Sequence, residues 1–307
     1  MPVQDQHHHL YSVYFAPRGY VRMTRMGMQI AERHLTAFDR LVGVIGEAGS
    51  GKSLLIKGMF PGLELTNDDN GVNIRPLPIL DMDNKGFFQA HTYHLDVRFE
   101  SAFTQMHILA EAIKSAIEKG KRVIVEHFDM IYPILDINAE LLIGIGEEII
   151  VTRPTIFGPE PQDVARVVFA SIKYRRMAHT AEDLTERYLW EPFHDGYKHG
   201  DVRHGFLLEF DTKPDIDTIA LENYVRSKIE QDLPVCYADD QHIRIGDKIH
   251  HCTGPRMHVA STGEIKNFRV LREIQYDPMS DKYLLVGLVG EESGHNIKDL
   301  NSLLPCQ

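Results

Sequence analysis

Short apolar runs alternate with turn-forming clusters and helical periodicity along the first half of the chain. The aromatic segment YSVYF (11–15) reads as a strand, Pro17-Arg18-Gly19 as a turn, and the following residues up to Leu35 as a helix with apolar positions near helical spacing. LVGVI (41–45) is an apolar run that opens directly into a glycine-rich loop, and SLLIKGMF (53–60) has helical character until Pro61-Gly62 stops it. LELT (63–66) predicts a second strand before the turn sequence NDDNG (67–71). A helical segment near 101–118 ends at Lys119-Gly120, ahead of the buried-type run RVIVEHF (122–128) and then ELLIGIGEEIIVTRP (140–154). Strands alternating with helices in this way predict an α/β unit, with a mainly parallel sheet covered on both faces.

Beyond residue 150 the rhythm changes. A basic helical stretch (163–190) precedes the strand GFLLEFD (205–211), the helix DIDTIALENYVRSKIEQD (215–232) and the strand HIRIGDKIHHC (242–252). NFRVLREIQYD and DKYLLVGLVG then read as an antiparallel pair joined around Pro278. The second half is therefore expected to be α+β.

Gly46-Glu47-Ala48-Gly49-Ser50-Gly51-Lys52-Ser53 fits the pattern G-x-x-x-x-G-K-[ST] and lies between a predicted strand and a predicted helix. Glycines let the backbone turn its N–H groups toward a phosphate, and the helix N-terminus adds partial positive charge. Lys52 is placed to reach the outer phosphates of ATP or GTP, and Ser53 to ligand Mg²⁺. Glu126 and Asp129 follow the run RVIV, where a strand-end carboxylate would meet Mg²⁺ or its water shell. Asp68 and Asp69 are candidates for orienting or deprotonating an acceptor hydroxyl, although the same residues make a good turn. Arg98 is a candidate phosphate-facing cation. GEAGSGKS, the acidic pair after the second run and VIVEH together resemble the P-loop nucleoside triphosphatases, and within them the nucleoside and uridine kinases. That resemblance covers about residues 38–150 and implies phosphoryl transfer. No arginine-rich lid of the kinase type is evident.

Cys252 and His258 flank a Thr-Gly-Pro loop, and His250 and His251 stand just before it. Thiolate and imidazole together suit Zn²⁺. IRIGDKIHHCTGPRMHVASTGEIKNFRVL (243–271), with GFLLEFDTKPDIDTIALENYVRSKIEQDLPV and YRRMAHTAEDL upstream, resembles the second additional domain of alanyl- and threonyl-tRNA synthetases and the free-standing alanyl-tRNA editing proteins. The match spans about residues 165–290. It implies a zinc site made of His179, Asp183, Cys252 and His258, and hydrolysis of the ester between a small amino acid and the tRNA acceptor end or a related aminoacyl compound. Two departures stand out: Asp183 takes the place of the second histidine in His-x-x-x-His, and five residues separate Cys252 from His258 instead of three. Residues 1–37 are then an N-terminal extension, 38–150 a P-loop nucleotide-binding domain, and 151–307 an alanyl-tRNA editing-like domain.

Composition narrows the classes further. Of 307 residues 43% are hydrophobic and 25% charged, and no apolar run approaches the ~20 residues that span a bilayer. With three cysteines and no secretory pattern at the start of the chain, the expectation is a cytoplasmic protein without membrane partners. The net charge of -11 argues against indiscriminate nucleic-acid binding. RVVFASIKYRR (166–176) still carries four cations and no anion, so Lys173, Arg175 and Arg176 are candidates to meet acceptor-strand phosphates.

Overall fold

The computed structural model describes residues 11–66, 77–80, 90–193, 196–252, 254 and 256–290. Leu41–Gly46 forms β2, and every one of its residues is buried. Its alternate side chains serve two cores. Leu41 and Ile45 pack with Leu109, Ile113, Val123, Val125 and Phe128 on one face. Val42 and Val44 pack with Met23, Ile30, Leu55 and Ile56 on the other. A strand sandwiched in this way reads as a continuous apolar run because neither face meets water.

The strands around it are β1 (Ser12–Phe15), β3 (Thr92–Asp96), β4 (Arg122–Glu126), β5 (Leu141–Ile145) and β6 (Glu148–Thr152), in the sheet order β1-β6-β5-β2-β4-β3. β2 runs parallel to β4 and β5, and β3 parallel to β4. β6 is antiparallel to both β5 and β1. The sheet is thus mixed, where a mainly parallel one was expected. Only Gly146 and Glu147 join β5 to β6, and so short a connection permits a hairpin but no crossover. Residues 63–66 form no strand; instead the Thr66 N–H is held by the His94 ring.

Helix α1 (Tyr20–His34), from the expected N-terminal extension, lies on α2 (Lys52–Met59), the helix that follows the glycine-rich loop. The two backbones nearly touch. A Cβ on Gly27 would stand 2.2 Å from the Leu55 carbonyl oxygen, and one on Gly58 2.1 Å from that of Thr24. The other face of the sheet carries α4 (Met106–Glu118), α5 (Phe128–Leu135) and the start of α6 (Pro161–Phe193). A short α3 (Val97–Glu100) follows β3, capped by the Asp96 carboxylate, which accepts from Phe99 N at 3.0 Å.

α6 runs through both halves of the chain. Val164 and Val168 belong to the first core, while Tyr174, Met177, Ala181, Leu184 and Leu189 belong to a separate core in the second half. There α6 and α7 (Thr218–Glu230) pack on antiparallel strands β7 (Lys198–Val202), β8 (Gly205–Phe210), β12 (Arg269–Val270), β13 (Gln275–Asp277) and β14 (Lys282–Leu288). β9 (Val235–Asp239), β10 (His242–Ile245) and β11 (Lys248–His251) make a smaller antiparallel sheet. The single strand expected over 242–252 is therefore a hairpin, turned at Gly246 with φ 60.

Thr262-Gly263-Glu264 forms a 3-10 turn with a capping box between Ser261 and Glu264. The Thr262 hydroxyl donates to Lys228 O (2.6 Å) and accepts from Leu233 N (2.8 Å). This triplet, which lies within the stretch 243–271, is a structural tie between the end of α7 and the strand that follows it.

Where the halves meet, Glu147 is buried against the His204 turn, and the His204 backbone N–H donates to its Oε1. Burial pushes the Glu147 carboxyl up to about 7 from an ordinary 4.5. The folded chain holds a proton there that the unfolded chain has released. The resulting stabilisation is present below pH 4.5 and lost as the pH rises through about 7. Glu147→Gln, which keeps an acceptor for His204, should raise the melting temperature by several degrees near pH ~8 and leave it unchanged near pH ~4. An unchanged or lower value near pH ~8 would contradict the assignment.

Candidate functional site

The loop between β2 and α2 has the backbone that its glycines permit. Gly49 has φ 79 and Gly51 φ 97, in the left-handed region where a side chain is strained. Ser50 N donates to Glu47 O at 3.2 Å, and Leu55 N to Gly51 O at 2.9 Å, so the loop passes directly into the helix. The loop's remaining members differ in surroundings: Ser50 is buried, Ala48 and Gly49 are exposed, and Glu47 pairs with Arg176. Gly46, the last residue of β2, is buried with the rest of that strand.

Lys52 folds back over its own loop. Its Nζ donates to Glu47 O at 3.0 Å and lies 3.8 Å from Glu126 Oε2. Burial lowers its pKa, opposed by the nearby charge of Glu126. The Ser53 hydroxyl donates to Glu126 Oε1 at 3.0 Å, and His94 Nε2 stands 3.2 Å from the same oxygen. Because Thr66 N donates to His94 Nδ1 (3.1 Å), the neutral ring carries its proton on Nε2 and donates it to Glu126. Burial would push the Glu126 carboxyl up, but His94, Lys52 and Ser53 together hold it below its ordinary range. A carboxylate fixed at the end of β4, next to the hydroxyl at the head of α2, is a pair of hard oxygen donors that suits a magnesium ion.

Asp96 was not singled out from the sequence, yet the fold brings it here. β3 and β4 run in parallel, with Asp96 opposite Glu126 at their C-terminal ends. Ligand atoms of Asp96, Glu126 and His127 all lie within 4.8 Å of one another, and all three residues are buried. His127 is pulled down to about 4 by burial and by Lys52. Asp129, in the first turn of α5, is raised by burial, and its Oδ1 is buried without a hydrogen bond. Arg98 is exposed on α3, and its charge reaches both Lys52 and His127. Asp68 and Asp69 lie outside the described residues.

The second cluster assembles despite its departures from the expected spacing. Cys252 Sγ lies 3.2 Å from His258 Nε2, which is 3.7 Å from Asp183 Oδ2. The Thr180 hydroxyl meets His258 Nδ1 at 3.1 Å. His179, one turn before Asp183 on α6, is buried with its ring 6.1 Å from that of His258. Burial holds His258 down at about 3 and His179 well below its ordinary value, and Arg18 adds to both effects. His250 lies against Arg187, and His251 is exposed on β11; neither is one of the clustered ligands among the described residues.

A side chain that sequence reasoning missed lies at the centre of this cluster. Arg18, buried in the turn before α1, donates from Nη1 to Glu182 Oε2 (2.8 Å) and from Nη2 to Cys252 Sγ (3.2 Å), and it pairs with Asp183. The donor types would suit zinc, but a guanidinium already stands among them on the thiol and both carboxylates. Ligand atoms of Asp183, Cys252 and His258 lie within 4.8 Å of one another, but with the guanidinium on two of these three residues a divalent ion would have to displace it. Nothing local in the sequence signals the contact, since residue 18 is 165 positions from Asp183 and 234 from Cys252.

Arg175 also corrects an expectation. It is buried and donates to Ser50 O (2.9 Å), Gly146 O (3.4 Å) and Pro17 O (3.3 Å), so it braces the loop from beneath and meets solvent only where it lines the cleft, not on an open helix face. Of the basic run, Lys173 is exposed, its ammonium 5.0 Å from the centre of the Tyr174 ring.

A cleft of about 910 Å³ joins the two regions. Residues 49–54 line one wall, and His179, Tyr237, Gln241, His251, Arg256 and Met257 are on the other. The walls come close at the rim, where a Cβ on Gly49 would lie 2.9 Å from the Arg256 carbonyl oxygen. The Arg256 guanidinium stands over the Tyr237 ring at 5.5 Å and 3.7 Å from Asp240. Neither a protein-family model nor a curated protein matches the chain. Among the described residues no helix is long and apolar enough to cross a membrane.

Proposed function

We propose that the protein is a nucleotide-dependent phosphotransferase. It binds ATP or GTP through residues 46–53 and passes the terminal phosphate to an acceptor held in the cleft. The observation that carries this reading is the convergence of Lys52, Ser53 and Glu126 at the head of α2. Backbone N–H groups of the loop and the Lys52 ammonium would hold the outer phosphate oxygens, and their charge counts most where charge develops during transfer. Ser53 and Glu126 would hold a magnesium ion, which neutralises phosphate charge when bound. His94 keeps Glu126 oriented. Among the described residues, Asp96, beside Glu126 and Lys52, is the carboxylate that would orient an acceptor hydroxyl and accept its proton.

The preferred acceptor is a small hydroxyl compound of the kind that nucleoside-type kinases use. A second acceptor class is favoured by Arg256 over Tyr237 at the rim. A cation stacked on an aromatic ring suits a nucleobase or a phosphate, as in an aminoacylated tRNA end or a related aminoacyl compound.

Terminally labelled ATP and GTP, incubated with the protein and each acceptor class in turn, test the proposal. Label transferred to a nucleoside-type hydroxyl supports the first acceptor, and label on the aminoacyl compound supports the second. Release of amino acid from charged tRNA without use of label would replace phosphotransfer by ester hydrolysis. Failure to transfer or release label with any acceptor would overturn the reading.

A further inference from the structure

We infer that Arg18 is the resident cation of the cluster formed by Glu182, Asp183, Cys252 and His258, standing where the resemblance to editing domains would put zinc. The guanidinium engages two carboxylates and the thiol: Glu182 Oε2 at 2.8 Å, Cys252 Sγ at 3.2 Å, and Asp183 through Oδ1. It is 5% exposed, and Glu182 and Asp183 are each 2% exposed, so the charges compensate one another away from water. A buried pair of carboxylates needs such a partner.

The arginine is also built in. Arg175 donates to Pro17 O on its N-terminal side, Ala16 N donates to Glu147 O, and the Arg18 stem packs beside Gly254 at 3.7 Å from where a Cβ would be. The backbone that carries the guanidinium is thus held before the turn, and its stem is packed beyond it. Two buried atoms next to it, His179 Nδ1 and Asp183 Oδ2, have no hydrogen bond. Removal of the guanidinium would leave Asp183, Cys252 and His258, whose ligand atoms lie within 4.8 Å of one another, as three donors open to a metal ion, with His179 buried one turn away on α6. Arginine's planar fork reaches the two carboxylates and the thiol from two separate nitrogens, where lysine offers a single one.

Metal content and cobalt binding of the full chain test the inference. Wild-type protein purified without chelator should contain no stoichiometric zinc and show no thiolate-to-cobalt charge-transfer absorption on titration with Co²⁺. Arg18→Met should gain that absorption, bind cobalt at least about 100-fold more tightly than the wild type, and lose both on the further change Cys252→Ser. An Arg18→Met chain that folds only in the presence of zinc and retains it stoichiometrically supports the inference equally. Stoichiometric zinc in the wild type, lost on Cys252→Ser, would overturn it. So would a folded Arg18→Met that takes up no cobalt. If Arg18→Met does not fold with or without zinc, the wild-type protein decides alone: zinc-free chain supports the inference, and stoichiometric zinc overturns it.

Discussion

Lys52→Ala is expected to lower phosphate transfer by about 10²–10³-fold, the cost typical of removing one pre-placed donor at a site of developing charge. Lys52 is 5% exposed and anchored on Glu47 O and Glu126, so its ammonium is aimed before any phosphate arrives. That pre-placement gives it value in the transition state, because no reorganisation has to be met during the reaction. The change should not unfold the chain. Burial already disfavours the charge, as the lowered pKa indicates, and the alanine occupies a helical position where it is well tolerated. Turnover measured alongside the melting temperature checks both halves of the statement. Unchanged turnover in a folded variant would remove Lys52 from the chemistry.

Glu126→Gln should have the second-largest effect, a loss of turnover of about 10²-fold with a magnesium requirement raised at least tenfold. The substitution conserves shape, so packing at the end of β4 is retained. It deletes the charge on which Ser53, His94 and Lys52 converge. The amide oxygen can still accept from Ser53 or His94. The amide nitrogen, however, would turn a donor toward the ammonium and offer no ligand to a metal ion. Magnesium titration of turnover at saturating nucleotide reads the effect. A half-saturating magnesium concentration equal to that of the wild type would show that Glu126 plays only a structural part.

The parts of this architecture that were legible in the sequence are the contiguous ones. β2, the loop and α2 could be read because eight neighbouring residues carry the whole signal, with the strand before them and the helix after them in helical or strand pattern. Asp96 was not legible, since HLDVRF contains only an ordinary strand-end carboxylate until β3 is set parallel to β4. Its neighbourhood comes from sheet order, which a linear pattern does not encode. Arg18 was hidden more deeply. Pro17-Arg18-Gly19 reads correctly as a turn, and the long-range ion pairs that give the arginine its meaning leave no trace in nearby residues. Arg175 departs from expectation for a different reason. α6 is packed on several sides at once, with Ile172, Tyr174, Arg175, Met177 and Ala178 all buried, so its basic run is not one open surface.

The second half shows the converse. Thr262-Gly263-Glu264 has a local role that its residues explain: a hydroxyl at 262 that ties α7 to the next strand, and a glutamate at 264 that closes the capping box. A triplet set by such local demands speaks for the backbone turn it makes. It carries no information about whether the cluster one strand away holds a metal ion or an arginine.

Phosphotransfer as proposed requires that residues 46–53 hold the phosphates of a nucleoside triphosphate. Calorimetric titration of the folded full-length chain with ATP and with GTP, in the presence of magnesium, tests this without any knowledge of the acceptor. A saturable single-site heat is expected with at least one of the two nucleotides, abolished by Lys52→Ala in a protein that melts like the wild type. No saturable heat with either nucleotide, or equal binding by Lys52→Ala, would contradict it.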